Sequence, residues 1–363
     1  MIPLQHLVGL FYIKKNSYRY YAPPVHVSTI ELFNAPFMLT IFRTNQPLAN
    51  ILLLLYLALV RASTFIHPMS YVPKSQGVLT QWMYAELTPT SLSGQIAAFV
   101  LVFIQAVFIN MTMSRYRVST ELSLLPGLFY CLMTSMMPEF MMLSPILLAN
   151  TFLILALFYL CDVYKNNLAT SMIFDVGLWI GVASLFHFSF ILFILWGIIG
   201  LGILRGLRPR ELLMILIGII VPFFLFAVYL FWTDRLSMFP LHFTDNFGFF
   251  NFVKNSNPTA YVKIGVMLLL VLITLLSSGQ FFIRRNISAQ KYISIIYWML
   301  LMSGLTILIQ KGVDVNHLLI LSVPLSILLS MLFQRIGPAT AEVLHMLLLV
   351  VAMLFQYQYL LNR

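Results

Sequence analysis

The stretch QKGVDVNHLLILSVPLSILLS, residues 310–330, places Lys311, Asp314 and His317 at the mouth of an otherwise apolar run that contains Pro324. A cation, a carboxylate and an imidazole are the side chains that hold a phosphate or relay a proton. Asp314 and His317 are three apart, so a helix that begins by Asp314 sets both on one face. Asp314 is also favourable beside the positive end of that helix's dipole. The plainer reading is that Asp314 caps the helix and His317 packs at the membrane interface. Two further carboxylates are candidates for proton transfer, Glu86 in QWMYAELTPTS and Glu139 in the short turn MMPEF. A general base must come within hydrogen-bond reach of the proton it takes, whatever its pKa. The question is therefore which elements could gather these groups.

Composition answers first. Of 363 residues, 61% are hydrophobic and 9% charged, against roughly 25% charged in a soluble domain. The mean hydropathy is +0.93. Such a chain cannot cover its surface with polar groups, so its solvent is largely lipid. A spanning helix needs about 20 apolar residues. About eleven runs qualify: 48–66, 92–114, 120–137, 141–161, 170–186, 188–205, 211–232, 261–283, 292–309, 317–333 and 339–360. Pro126, Pro145, Pro222 and Pro324 lie inside runs, which neighbouring helices can tolerate. The expected fold is an all-α integral membrane bundle.

The net charge of +10 forms no basic stripe, which argues against nucleic acid as a partner. Its cations are scattered between apolar runs. With the N-terminus inside, Lys14, Lys15, Arg19, Arg43, Arg115, Arg117, Lys165, Arg205, Arg208, Arg210, Arg284, Arg285, Lys291 and Arg335 all fall on the inner side. That asymmetry predicts an N-inside, C-outside topology. Residues 1–37 are aromatic, basic and proline-broken, without a signal-peptide pattern. They read either as preceding the natural start at Met38 or as an amphipathic segment on the inner surface. Residues 38–363 form one transmembrane domain, with long outer loops at 67–91 and 233–260. Asp314, His317 and Glu139 share that outer side.

Motifs of soluble chemistry are absent. There is no Walker A sequence, no GxGxxG after a strand, no GxSxG and no HExxH. The histidines and acids show no metal-ligand spacing, so neither a metal nor a cofactor is predicted. Cys131 and Cys161 lie in apolar surroundings and suggest no disulfide framework. Asp175 and Glu342 are the clearest acids inside runs; each stands near a helix end and is expected to reach the interface. His187, at the break between two runs, is expected to pack there.

Three stretches together suggest a family. LSLLPGLFYCLMTSMMPEFMMLSPILLANTFLILALFYLCDVYKN resembles the third and fourth spans of GT-C glycosyltransferases, polytopic enzymes that use polyprenyl-phosphate sugars. DVGLWIGVASLFHFSFILFILWGIIGLGILRGLRPRE resembles the small-residue-rich pair that follows, and VNHLLILSVPLSILLS resembles a late proline-containing span. IFRTNQPLANILLLLYLALV and YLFWTDRL also resemble an uncharacterised inner-membrane family of Bacteroidota, over residues 38–363. The GT-C resemblance implies sugar transfer from a polyprenyl-phosphate carrier at the outer face. It implies Glu86 and Glu139 as catalytic acids, with Lys74, Arg235 and Lys311 at the lipid phosphate and Asp314 and His317 at the substrate. One departure is plain: the first outer loop of GT-C enzymes usually carries an aspartate near the first span, and here Glu86 is the loop's sole acid.

Three functions follow as expectations. The first is a GT-C-type transferase of envelope glycan assembly in the bacterial inner membrane. The second is a non-catalytic subunit or scaffold with a membrane-protein partner, in keeping with the few outer acids. The third is a transporter, which would need polar groups around a midplane cavity.

Overall fold

The computed structural model describes residues 38–44, 47–66, 78–119, 121–166, 169–240, 258–282, 285–310 and 314–358. The expectations about residues 1–37, Lys74 and Lys311, and about the middles of the two long loops, fall outside this set.

The chain is a helical, multi-pass membrane protein. Its helices are α1 Met38–Phe42, α2 Pro47–Val60, α3 Ala62–Ile66, α4 Val78–Glu86, α5 Leu92–Arg115, α6 Leu125–Met133, α7 Pro145–Asp162, α8 Ala169–Phe186, α9 Phe193–Arg205, α10 Pro209–Trp232, α11 Pro258–Leu276, α12 Ser278–Phe282, α13 Ile287–Leu308, α14 Ser322–Arg335 and α15 Pro338–Gln356. Short 3-10 segments occupy Pro138–Phe140, Phe188–Leu192, Leu236–Met238 and Val315–Leu321. Among the described residues, nine helical segments are long and apolar enough to cross a membrane. The apolar run at 48–66 is broken at Arg61 into α2 and α3.

Helix starts follow their local sequence. Ser91 Oγ accepts from Gly94 N at 3.1 Å and caps α5, and Ser144 Oγ accepts from Leu147 N at 3.2 Å and caps α7. Proline opens α7, α10 and α15, where its missing N–H costs nothing. The runs 120–137 and 317–333 also depart from expectation. The run 120–137 yields only α6, which is wholly buried. Gly127 lets α6 press on α5: an added Cβ there would stand 2.7 Å from the Ala106 carbonyl. The run 317–333 opens instead at Val315 as a 3-10 segment. Pro324 has no N–H for the carbonyl four residues back, and its ring crowds that carbonyl. That carbonyl is Ile320's; the neighbouring Leu319 carbonyl is taken by Ser322 Oγ at 2.7 Å and Asn150 Nδ2 at 3.1 Å.

This last span is the axis of the bundle. Its apolar window is 89% buried, against 28% for the still more apolar α10. The exposed face of α10, with Leu213, Ile217, Ile220 and Phe224, meets the lipid. Glycines let α8 and α10 approach closely: a Cβ on Gly177 would lie 2.2 Å from the Ile215 carbonyl, and one on Gly218 would lie 2.3 Å from that of Phe174.

Contacts sort the segment ends into two sets. At one end Leu124 N donates to Phe42 O at 2.8 Å, Arg43 Nη2 to Phe333 O at 3.1 Å and Lys291 Nζ to Leu204 O at 3.1 Å. This basic end also carries Arg115, Arg117, Lys165, Arg205, Arg208, Arg210, Arg285 and Arg335. The loop end gathers Arg61, Thr134, Glu139, Lys263, His187, Gln310 and Gln356.

Candidate functional site at the loop end

Two features at the loop end can hold a ligand. The first is a groove of about 360 Å³, open to the side and almost wholly apolar. Its walls are Leu178, Val182 and Leu185 of α8, and Val221, Pro222, Leu225, Phe226 and Tyr229 of α10. Leu79 and Trp82 of α4 close it on a third side, the Trp82 ring standing edge-on to Tyr229 at 5.5 Å. Glu86 is the last residue of α4 and is exposed. Four residues past Trp82 and seven past Leu79, it falls on the same helical face as those two residues, one turn beyond the groove's lining. Helix α4 itself is docked by Thr80 Oγ1 on Phe186 O at 3.3 Å and by Tyr84 OH on Leu143 O at 3.2 Å. Burial pushes the Tyr84 hydroxyl well above its usual pKa, so it stays a donor.

The second feature is a polar cluster around the Val315–Leu321 segment, which packs against Pro138–Phe140, α7, α11 and α13. Glu139 Oε1 meets Lys263 Nζ at 2.6 Å, and both side chains are largely buried. Its other oxygen, Oε2, is buried and has no hydrogen-bond partner among the described residues. Asn316 Oδ1 and Gln310 Oε1 are in the same state. Gln310 Nε2 meets His187 Nε2 at 2.8 Å, and the His187 and His317 rings lie 5.7 Å apart.

Asp314 and His317 form a reciprocal cap. Asp314 Oδ1 accepts from Val315 N at 2.7 Å, and His317 Nδ1 accepts from Asp314 N at 2.9 Å. Accepting that bond places the neutral ring's proton on Nε2. The carboxylate and imidazole proposed from the sequence are therefore adjacent, and each first serves the start of its own segment. Arg235 is exposed just after α10. Glu139, Asp314 and His317 gather around one 3-10 segment, while Glu86 sits on α4 beside the groove. Among the described residues no group of three or more His, Cys, Asp or Glu assembles as a metal site.

Other polar residues were placed differently from expectation. Lys263 lies inside α11 and is 5% exposed. A lone cation in YVKIGVML was the available signal, since a charge in an apolar helix demands a partner. Arg61 is 2% exposed and has no acid within ion-pair distance among the described residues. Its guanidinium donates to Ser135 Oγ at 3.1 Å, Met141 O at 3.2 Å and Thr134 O at 3.0 Å. It thus caps the C-terminus of α6, where the helix dipole is negative. Glu342 corrects the expectation of an interfacial acid. It is 7% exposed, and its two oxygens accept from Met38 N and Leu39 N, each at 2.9 Å. Asp175 is only partly buried in α8.

No known family's sequence profile matches the chain, and no curated protein does. Among solved structures, the chain is similar to the Archaeoglobus fulgidus oligosaccharyltransferase in its apo form, at 12% identity and a TM-score of 0.45. The similarity covers 84% of this chain and 51% of that one, so the chain spans about half the length of that structure.

Proposed function

We propose that this chain is a GT-C-type transferase that moves a sugar from a polyprenyl-phosphate carrier at the loop end. The observation that carries the reading is the lateral apolar groove, with Glu86 one turn beyond its Trp82 wall on the same helix. A polyprenyl chain is apolar, flexible and delivered sideways from the bilayer, and such a groove accepts it without displacing ordered water. In this reading Glu86 takes the proton of the acceptor hydroxyl as its oxygen bonds to the sugar C1. The bond from C1 to the carrier phosphate breaks, and the polyprenyl phosphate leaves with the electron pair. Arg235, Lys74 and Lys311 are the cations available to the leaving phosphate. Glu139 Oε2 offers a buried acceptor to a sugar hydroxyl. The basic end is cytoplasmic in this reading. The membrane is the bacterial inner membrane, and the product enters envelope glycan assembly.

The test uses the purified full chain. Lipid extracted from it should contain polyprenyl phosphates, and Val182→Trp, which fills the groove, should lower their yield. In cells lacking the wild-type chain, Glu86→Gln should accumulate normally and fail to restore the missing glycan. An unaltered glycan profile in the Glu86→Gln, Glu139→Gln double variant would rule out the carboxylate mechanism.

A second reading, a non-catalytic scaffold for another envelope protein, has its own support. Glu139 is engaged by Lys263, and Asp314 and His317 cap each other. That reading predicts that the double variant supports assembly fully while Val182→Trp still weakens it.

A further inference from the structure

A second pocket lies at the opposite end of the bundle, between α2, α5 and the loop that enters α6. Its volume is about 550 Å³, and polar and apolar groups share its lining. One face of α5 supplies Asn110 and Ser114, one turn apart, and α2 supplies Asn50. Arg115 and Arg117 form the rim, while Leu122 and Leu124 make an apolar wall.

The cations that line the pocket point to an anion. Asn110 is 3% exposed; its Oδ1 accepts from Gly127 N at 2.7 Å, and its Nδ2 is buried with no partner among the described residues. That nitrogen lies against Gly127, where an added Cβ would stand 2.4 Å from it, so Asn110 braces the pocket wall. Arg117 is held with φ at 48°, a left-handed backbone that few non-glycine residues adopt. No acid lies within ion-pair distance of Arg117 among the described residues, whereas Arg115 is already paired with Asp162 at 3.3 Å and lies over Phe158. Glu121 is exposed and does not line the pocket.

We infer that this pocket binds the phosphate headgroup of an anionic membrane lipid. The apolar wall and the position at the membrane end of α5 favour a lipid over a free anion. Basic pockets between helices, on the side that carries the excess of Lys and Arg, suit such headgroups. This site is distinct from the loop-end groove, and it does not depend on the transferase reading.

The test is thermal unfolding of the purified full chain in a neutral detergent, with three added probes. Phosphatidylglycerol should raise the midpoint in a saturable way, phosphatidylcholine should raise it less, and inorganic phosphate should leave it unchanged. Arg117→Asn removes the cation and tolerates the left-handed backbone. It should weaken the phosphatidylglycerol effect by about tenfold. Arg117→Gly, which imposes no backbone strain, should weaken it equally, so a folding defect of either variant can be told apart from loss of the site. The inference is overturned if phosphatidylglycerol has no effect, if phosphatidylcholine matches it, or if both variants respond as the wild type does. Full reproduction of the shift by inorganic phosphate would overturn the lipid assignment in favour of a free anion.

Discussion

The two ends of the bundle treat charge in opposite ways. At the basic end most cations are numerous and near the surface: Arg115 is 55% exposed and makes a loose ion pair with Asp162. At the loop end, among the described residues, the cations Arg61 and Lys263 are only 2% and 5% exposed. Each of these is committed, Arg61 to the Thr134 carbonyl that ends α6 and to the Met141 carbonyl, and Lys263 to Glu139. Among the described residues the basic end has one buried charge of the same kind, Glu342, set against the first N–H groups of α1. Charge that orients a membrane protein acts through number and needs no fixed partner. Charge that builds one is buried, and a helix terminus serves as its counterion as readily as a side chain does.

Substitutions can break this contrast, and Arg61→Ala should do the most damage. It strips the carbonyls of Thr134 and Met141 of a charged donor, and bonds to charged groups contribute about 1.5–3 kcal/mol each. A loss of about 3–5 kcal/mol is expected in reversible unfolding from detergent or bilayer, with Arg61→Lys retaining part of it. A loss under about 1 kcal/mol would mean that the guanidinium is not structural.

Lys263→Met comes next. It leaves Glu139 unpaired in a largely buried position, at a cost of about 2–3 kcal/mol. Adding Glu139→Gln should recover much of that loss, because the stranded charge is then gone. Equal losses in the single and double variants would show that the ion pair is incidental.

Glu342→Gln should cost about 1–2 kcal/mol, since the amide replaces one acceptor oxygen by a donor aimed at an N–H. Arg115→Gln should cost about 0.5 kcal/mol or less, the usual worth of an exposed ion pair. If Arg115→Gln proved as damaging as Lys263→Met, the contrast between the ends would fail. Glu86→Gln completes the series with no expected change in stability, because Glu86 is exposed at the end of α4.

Much of the architecture was legible in the apolar runs. The expected spans at 92–114, 170–186, 188–205 and 211–232 match their helical segments to within about two residues. The run 120–137 misled because buried apolar residues continue past the end of α6 into a turn, and hydropathy cannot see where a helix stops. Asp314 was legible as a cap, since its side chain needs only the amides of its own turn. Lys263 and Glu139 were visible as residues but not as a pair, because 124 positions separate them. The groove beside Glu86 was hidden for the same reason: its walls come from α4, α8 and α10.

Sequence by itself determined the solvent, the helical class, the order of the spans and the asymmetry of charge. Those properties depend on transfer from water and on local hydrogen bonding, which each segment carries alone. Tertiary structure alone decided that the span opening at Val315 is the axis and α10 the lipid-facing rim, although α10 is the more apolar. Lipid and protein interior are equally good solvents for a leucine, so hydropathy cannot rank the two. Close packing of small residues, such as Gly177 against the Ile215 backbone, and the partners found by buried polar groups make that choice. The same packing turns Arg61 from a cation at the end of a span into the cap of α6.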